Sequence, residues 1–145
     1  KPWIAVDNTG GPRDGDIYVC WTRFFLGTSE LRFSRSIDGG ATYQNEQVVA
    51  PGGAPFGCSI EVGPNGDVYV SWAQRSTDDI LFRRSTDGGI MFGPTVTVNS
   101  LPTRAPGTDR VVNCLDFFRT TLNGNIRMLH QTWMAVDTTG GPFDG

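Results

Sequence analysis

The sequence predicts an all-β fold built of repeated four-stranded antiparallel units. An octet, Ser36-Ile37-Asp38-Gly39-Gly40-Ala41-Thr42-Tyr43, returns 49 positions later as Ser85-Thr86-Asp87-Gly88-Gly89-Ile90-Met91-Phe92. Strand-like flanks return with it, so the repeating unit is about 50 residues long, in the range of solenoids, propellers and arrays. The 19 Gly and 9 Pro of the 145 residues stand at turn positions between short apolar runs, as punctuation of an all-β chain.

The first unit opens with Trp3-Ile4-Ala5-Val6-Asp7, a short apolar strand. Turn chemistry follows in Asn8-Thr9-Gly10-Gly11-Pro12-Arg13-Asp14-Gly15. Asp16-Ile17-Tyr18-Val19-Cys20-Trp21-Thr22 is β-branched and aromatic and reads as the second strand. Leu31 to Ser36 alternates in polarity as the third, and after the octet Asn45 to Ala50 makes the fourth.

The second unit keeps this order. Cys58 to Val62 is its first strand, and Gly63-Pro64-Asn65-Gly66 is a tight hairpin turn. Asp67 to Ala73 repeats Asp16 to Thr22 at an offset of 51. Asp79 to Arg84 is the third strand, and Pro94 to Asn99 closes the unit. A third unit then opens: Trp133 to Gly145 restates Trp3 to Gly15 at an offset of 130.

Four short antiparallel strands per repeat is the pattern of a propeller blade. The runs Ile17 to Trp21 and Val68 to Trp72 are apolar on both faces, which suits sheets sandwiched between neighbouring sheets. No segment carries a helical period. The expected plan is repeat 1 over 1–53, repeat 2 over 54–100, an insertion over 101–125 and the start of repeat 3 over 126–145. Within the insertion, Cys114-Leu115-Asp116-Phe117-Phe118 suits an added strand or a packed loop.

A ring needs typically 4–8 blades, so two blades and an opening leave it incomplete. Further blades of a longer chain, self-association or another surface would have to cover the open faces. An end in mid-blade favours a segment of a longer propeller.

Composition excludes several functions. Net charge is −3, and no basic stripe or basic-aromatic platform marks a nucleic-acid binder. Apolar runs fall far short of the roughly 18 residues of a membrane span. No signal-peptide pattern is visible at the N-terminus. Cys20, Cys58 and Cys114 lack metal-ligand spacing. They allow at most one intrachain bridge, and buried free thiols are the expectation.

The octets follow Ser-x-Asp-x-Gly-x-Thr-aromatic, with Met91 in place of Thr in the second. They resemble the Asp-box, or bacterial neuraminidase repeat. With Trp-Ile-Ala-Val-Asp and Asp-Ile-Tyr-Val-Cys-Trp, the run resembles sialidase-like β-propellers over about 1–100 and 126–145. The resemblance implies an exo-sialidase-type glycoside hydrolase or glycan-binding parent at a secreted or cell-surface site, with this chain inactive alone. Because Asp-boxes also occur outside sialidases, a non-enzymatic scaffold or adhesin binding protein or carbohydrate is the alternative.

The box residues are Ser36, Asp38, Gly40, Thr42 and Tyr43, and Ser85, Asp87, Gly89 and Phe92. Their expected role is structural. The two Asp accept bonds from backbone N–H groups of their own turn. The two Gly take positive φ. Tyr43 and Phe92 bury against the blade and anchor the turn. In the family this turn joins the third and fourth strands at the outer rim, away from the catalytic mouth.

Sialidases, as the resemblance implies, hold the substrate carboxylate with three arginines and attack with a Tyr activated by a Glu, an Asp serving as acid/base. They depart from the two-carboxylate scheme of most glycosidases. An arginine cluster suits a carboxylate because guanidinium stays charged and binds it bidentately. The family's early Arg-Ile-Pro motif is missing from this sequence, and Glu30, Glu46 and Glu61 have no catalytic context. Arg35 and Arg84 repeat beside their boxes and read as structural. Arg23, Arg75, Arg104, Arg110, Arg119 and Arg127 are single candidates, so the catalytic residues stay unassigned.

No cofactor is required. Calcium is conceivable at Asp7 with Asn8, Asp14 and Asp16, although the spacing departs from the calcium-loop pattern. Turn capping is the simpler role for Asp7 and its equivalent Asp137. Gly10-Gly11 is no phosphate cradle, since neither a helix nor Lys-Ser/Thr follows. His130, the single histidine, reads as a packing or surface residue. Trp3, Trp21, Trp72 and Trp133 recur at repeat positions and read as blade core.

Overall fold

A computed structural model describes residues 1–100, 121–122, 126–127 and 131–142. The chain is all-β. Strands β1 (Trp3–Val6), β2 (Ile17–Phe25), β3 (Thr28–Ser36) and β4 (Gln44–Ala50) form one sheet in that order. Strands β5 (Pro55–Val62), β6 (Val68–Gln74), β7 (Asp79–Ser85) and β8 (Val96–Ser100) form a second, again in chain order. Every neighbouring pair is antiparallel. A short ribbon pairs β9 (Thr121–Leu122) with β10 (Ile126–Arg127). No helix occurs among the described residues.

The two four-stranded sheets pack through β5, which lies against β1, β2 and β3. One core joins them. Tyr18, Cys20, Leu31 and Phe33 come from the first sheet, and Ile60, Val68, Val70 and Trp72 from the second. Strand β2 alternates, with Tyr18 and Cys20 buried and Val19 and Trp21 half-buried, whereas β5 and β6 bury both faces, Ser59 beside Ile60 and Ser71 beside Trp72.

Several elements run longer than the sequence pattern suggests. The hairpin of β2 and β3 extends to Phe25 and Thr28, nine residues a strand. In the first unit a two-residue turn, Leu26-Gly27, closes it with both φ positive, at 44° and 78°. That is the twist a tight hairpin needs, and Gly supplies it more cheaply than Leu. Strand β5 starts at Pro55, three residues ahead of the expected Cys58, and carries a register shift between Phe56 and Ser59.

Two expectations need correction. Cys20 and Cys58 are not free thiols: they form a disulfide that ties β2 to β5, with the Cα atoms 6.4 Å apart. Sequence spacing hides this pair because the two lie at non-equivalent places in the two units. The backbone irregularity at Gly57, φ 63°, sits beside Cys58 and re-aims the strand there. Cys114 and the rest of 101–120 lie outside the described residues.

The second correction concerns the third unit. Trp133 to Val136 is not a strand. The segment nevertheless lies against both sheets: Thr132 Oγ1 donates to Gly57 O at 2.9 Å, and the Trp133 ring meets Trp3 edge-on at 4.8 Å. Trp133 is 74% exposed and so does not belong to the core, whereas Trp72 is fully buried. The first copy of the motif is a strand through its pairing with β2, Trp3 opposite Cys20 to Val6 opposite Ile17.

Candidate functional site

The octets form the turns between β3 and β4 and between β7 and β8. In the first, Ser36 Oγ donates to Asp38 Oδ1 at 2.7 Å and accepts from Gly40 N at 2.8 Å. Asp38 accepts from Thr42 N at 2.9 Å and from Thr42 Oγ1 at 2.6 Å. The second box repeats the scheme: Ser85 Oγ donates to Asp87 and accepts from Gly89 N. Asp87 Oδ1 accepts from Ile90 N and Met91 N, both at 2.9 Å. Met91 brings its amide but no hydroxyl. Gly40 and Gly89 have φ of 91° and 77°, the left-handed region that closes each turn.

Thr42's hydroxyl, Thr42's amide and Ser36's hydroxyl hold the Asp38 carboxyl down from an ordinary 3.8 to about 2. At Asp87 partial burial pulls upward, but bonds from Met91 N, Ser85 Oγ and Ile90 N outweigh it, and its pKa is also lowered. A depressed carboxyl stabilises the fold above its unfolded pKa and loses that contribution as pH falls through the folded value. The thermal stability of the wild type should therefore fall from about pH 4 down to about pH 2. Asp38→Asn should be less stable at neutral pH and show a flatter acid limb over that window; an unchanged limb in melting curves would refute the role.

The two boxes differ in what they touch. Gly88 and Gly89 are buried, and Phe92 packs edge-on against Phe33 of β3, ring centres 5.0 Å apart. A Cβ at Gly89 would collide with the Phe33 ring. Arg35 Nη1 donates to Gly88 O at 2.9 Å, and Asn45 Nδ2 and Gln47 Nε2 donate to Gly89 O. The second box is thus a knob seated on the first sheet. The first box faces outward: Tyr43 is 48% exposed and does not anchor the turn by burial.

Arg35 and Arg84, equivalent by repeat, do different work. Arg35 bridges to the next box, while Arg84 pairs with the buried Asp67 of its own sheet, Nε to Oδ2 3.0 Å. Each guanidinium thus makes a contact within the fold. Asp7 is fully buried and caps its turn through Thr9 N at 2.9 Å and Thr9 Oγ1 at 2.6 Å, and Asp137 caps Thr139 N at 2.9 Å. Asp14 Oδ1 accepts from Gly10 N. Among the described residues no three His, Cys, Asp or Glu side chains converge as metal ligands.

Because the sheets are meanders, the β2–β3, β4–β5 and β6–β7 connections gather at the end opposite the boxes. A cleft of about 740 Å³ opens there between Phe24–Ser29, Gly53, Ala54 and Ser76. Phe24 is 64% exposed and Leu26 99%. Leu26, Ala54 and Asp78 all hold positive φ around this end, at 44°, 53° and 56°. Such conformations are costly for non-glycine residues and cluster where surrounding structure enforces them. Arg23 lies 5.2 Å over the Phe25 ring and Arg75 6.0 Å over Phe56. Arg23 also pairs with Glu30 at 3.4 Å, and Arg32 joins Glu30 to Glu46. Among the described residues that line the cleft none is ionisable. The described lining offers apolar surface and the Thr28, Ser29 and Ser76 hydroxyls.

A second cleft of about 620 Å³ lies between β1 and β5, with Glu61 and Thr138 at its wall. Burial pushes the Glu61 carboxyl up. The described lining of that cleft holds no Cys, Lys or Tyr beside Glu61. Burial, with the nearby Asp16 and Asp7, pushes the Tyr18 hydroxyl up to about 12, and that side chain is enclosed in the core. Arg104, Arg110, Arg119, His130 and the Arg127 side chain lie outside what the structure describes.

Comparison with protein-family models and with curated proteins finds no match. No helix among the described residues is long and apolar enough to cross a membrane.

Proposed function

We propose that this chain supplies adjoining walls of a sialidase-like Asp-box β-propeller whose complete ring binds or cleaves glycans at a secreted or surface site. The observation that carries this reading is the seating of the second box on the first sheet, Phe92 and Gly89 against Phe33. A contact that places one unit on the next through non-identical surfaces is heterologous, and such contacts build rings when the rotation closes. The glycan assignment rests on the likeness of the octets and their flanks. A disulfide across the sheets favours an oxidising compartment.

Chemistry in such a ring draws on several blades, and the described residues of neither cleft unite a nucleophile, an acid and a carboxylate-binding cluster. The chain alone should therefore give no turnover of a fluorogenic sialoside above buffer. Turnover by the isolated chain would overturn the multi-wall site. A second reading, a non-enzymatic scaffold or adhesin, is favoured by the apolar Phe24–Leu26 tip and its uncharged cleft. The same assay on a protein bearing the full ring separates the two: turnover selects the hydrolase, and glycan binding without turnover selects the adhesin.

A further inference from the structure

The interface between the two sheets has a knob on one side and a socket on the other, and each sheet carries both. The second sheet's knob is used, with Gly88 and Gly89 buried. The first sheet's socket is used as well, since Phe33 is fully buried. Among the described residues nothing seats on the two remaining halves. The first box has the same internal bonds, yet Tyr43 stands 48% exposed and Ile37 56%. Phe82, equivalent to Phe33, is half-buried, and among the described residues its one aromatic neighbour is Tyr69 of its own sheet, the rings tilted with centres 5.7 Å apart. Val96, paired in register with Phe82, is 51% exposed, and every residue of β8 is exposed.

We propose that copies of this chain associate head to tail, the Tyr43 box of one copy seating on the Phe82–Val96 face of the next. The inference rests on the propeller reading and names the partner and the polarity of its open faces. The occupant is a second copy because the surface it needs is the one already seen seated inside the chain. The socket of the second sheet is more apolar than its template. Gln47, which donates to Gly89 O in the first sheet, is matched by Val96, and Asn45 by Pro94. Burial of apolar surface replaces those bonds, which suits the exposed Tyr43 ring and Ile37. A knob and socket on opposite faces give a heterologous contact, so association need not stop at two.

Sedimentation over a concentration series tests this on the whole chain. The wild type should rise from one chain to two and more. Tyr43→Ala and Val96→Asp alter exposed residues, so each should keep the wild-type circular dichroism while associating at least tenfold more weakly with itself. Mixing the two variants should restore a complex of two chains and no larger, because each retains the half that the other has lost. A wild type that stays a single chain, or variants that associate as it does, would overturn the inference. The propeller reading is checked separately by a double-mutant cycle of Phe33→Ala with Phe92→Ala. Additive effects would remove the template contact itself, whereas clear coupling in a chain that stays single would discard only the self-association.

Discussion

Phe33→Ala is expected to cost about 3–5 kcal/mol in urea unfolding, the range for truncating a fully buried Phe. Phe82→Ala, at the equivalent place in the second sheet, should cost roughly 1–2 kcal/mol, since only part of its ring leaves water. Sequence and register give no reason for the difference. Phe33 pairs with Cys20, and Phe82 with Ser71, at matching rungs of their sheets. The difference lies in what covers each ring. Phe33 is enclosed by Phe92 and by Gly89, whose missing Cβ leaves room for the ring, whereas Phe82 has no box above it among the described residues. Measuring both variants under the same conditions isolates the contact between units from the strength of each sheet. Equal losses would mean that the second box adds nothing and that the sheets stand independently.

The same pair of residues shows which parts of the molecule are legible in the chain. Strand order is legible, because turn residues punctuate short β-branched and aromatic runs. The internal bonding of the boxes is equally local: Asp38 and Asp87 bind amides within four residues of themselves. Occupancy of a box is not local. Tyr43 and Phe92 occupy the same position in one pattern, and only the presence of a sheet on the far side decides which is covered. Arg35 and Arg84 part company for the same reason.

Repeat matching also hid the cleft. The units match as far as Trp21 and Trp72, and from Phe24 to Ser29 the first departs from the second, so the repeat carries no signal there. Polar Arg75-Ser76-Thr77-Asp78 closes the second unit's hairpin, and Phe24-Phe25-Leu26-Gly27 closes the first. A run of three apolar residues before a Gly at a hairpin tip was the signal available. Burial would explain such a run in a core strand, and here it is exposed instead.

Removing the bridge between the sheets should have an effect of similar size. Cys20 and Cys58 close a loop with a sequence separation of 38. Loop-closure entropy for that length predicts about 4 kcal/mol of stabilisation, because the unfolded chain loses freedom that the folded chain had already given up. Cys20→Ala with Cys58→Ala should therefore lower Tm by roughly 10 °C for a chain of this size. Added reductant should lower the wild-type Tm by a similar amount and leave the double variant unmoved. The loss should fall between the sheets rather than within them, since β2 and β5 each keep their own ladders. Hydrogen exchange would show this as faster exchange along β1 and β5, which meet at the interface, with β6 and β7 retaining protection longest. If the double variant melted with the wild type, the sheets would be held by packing alone. The case for an oxidising compartment, which the glycan reading uses, would then lose its structural support.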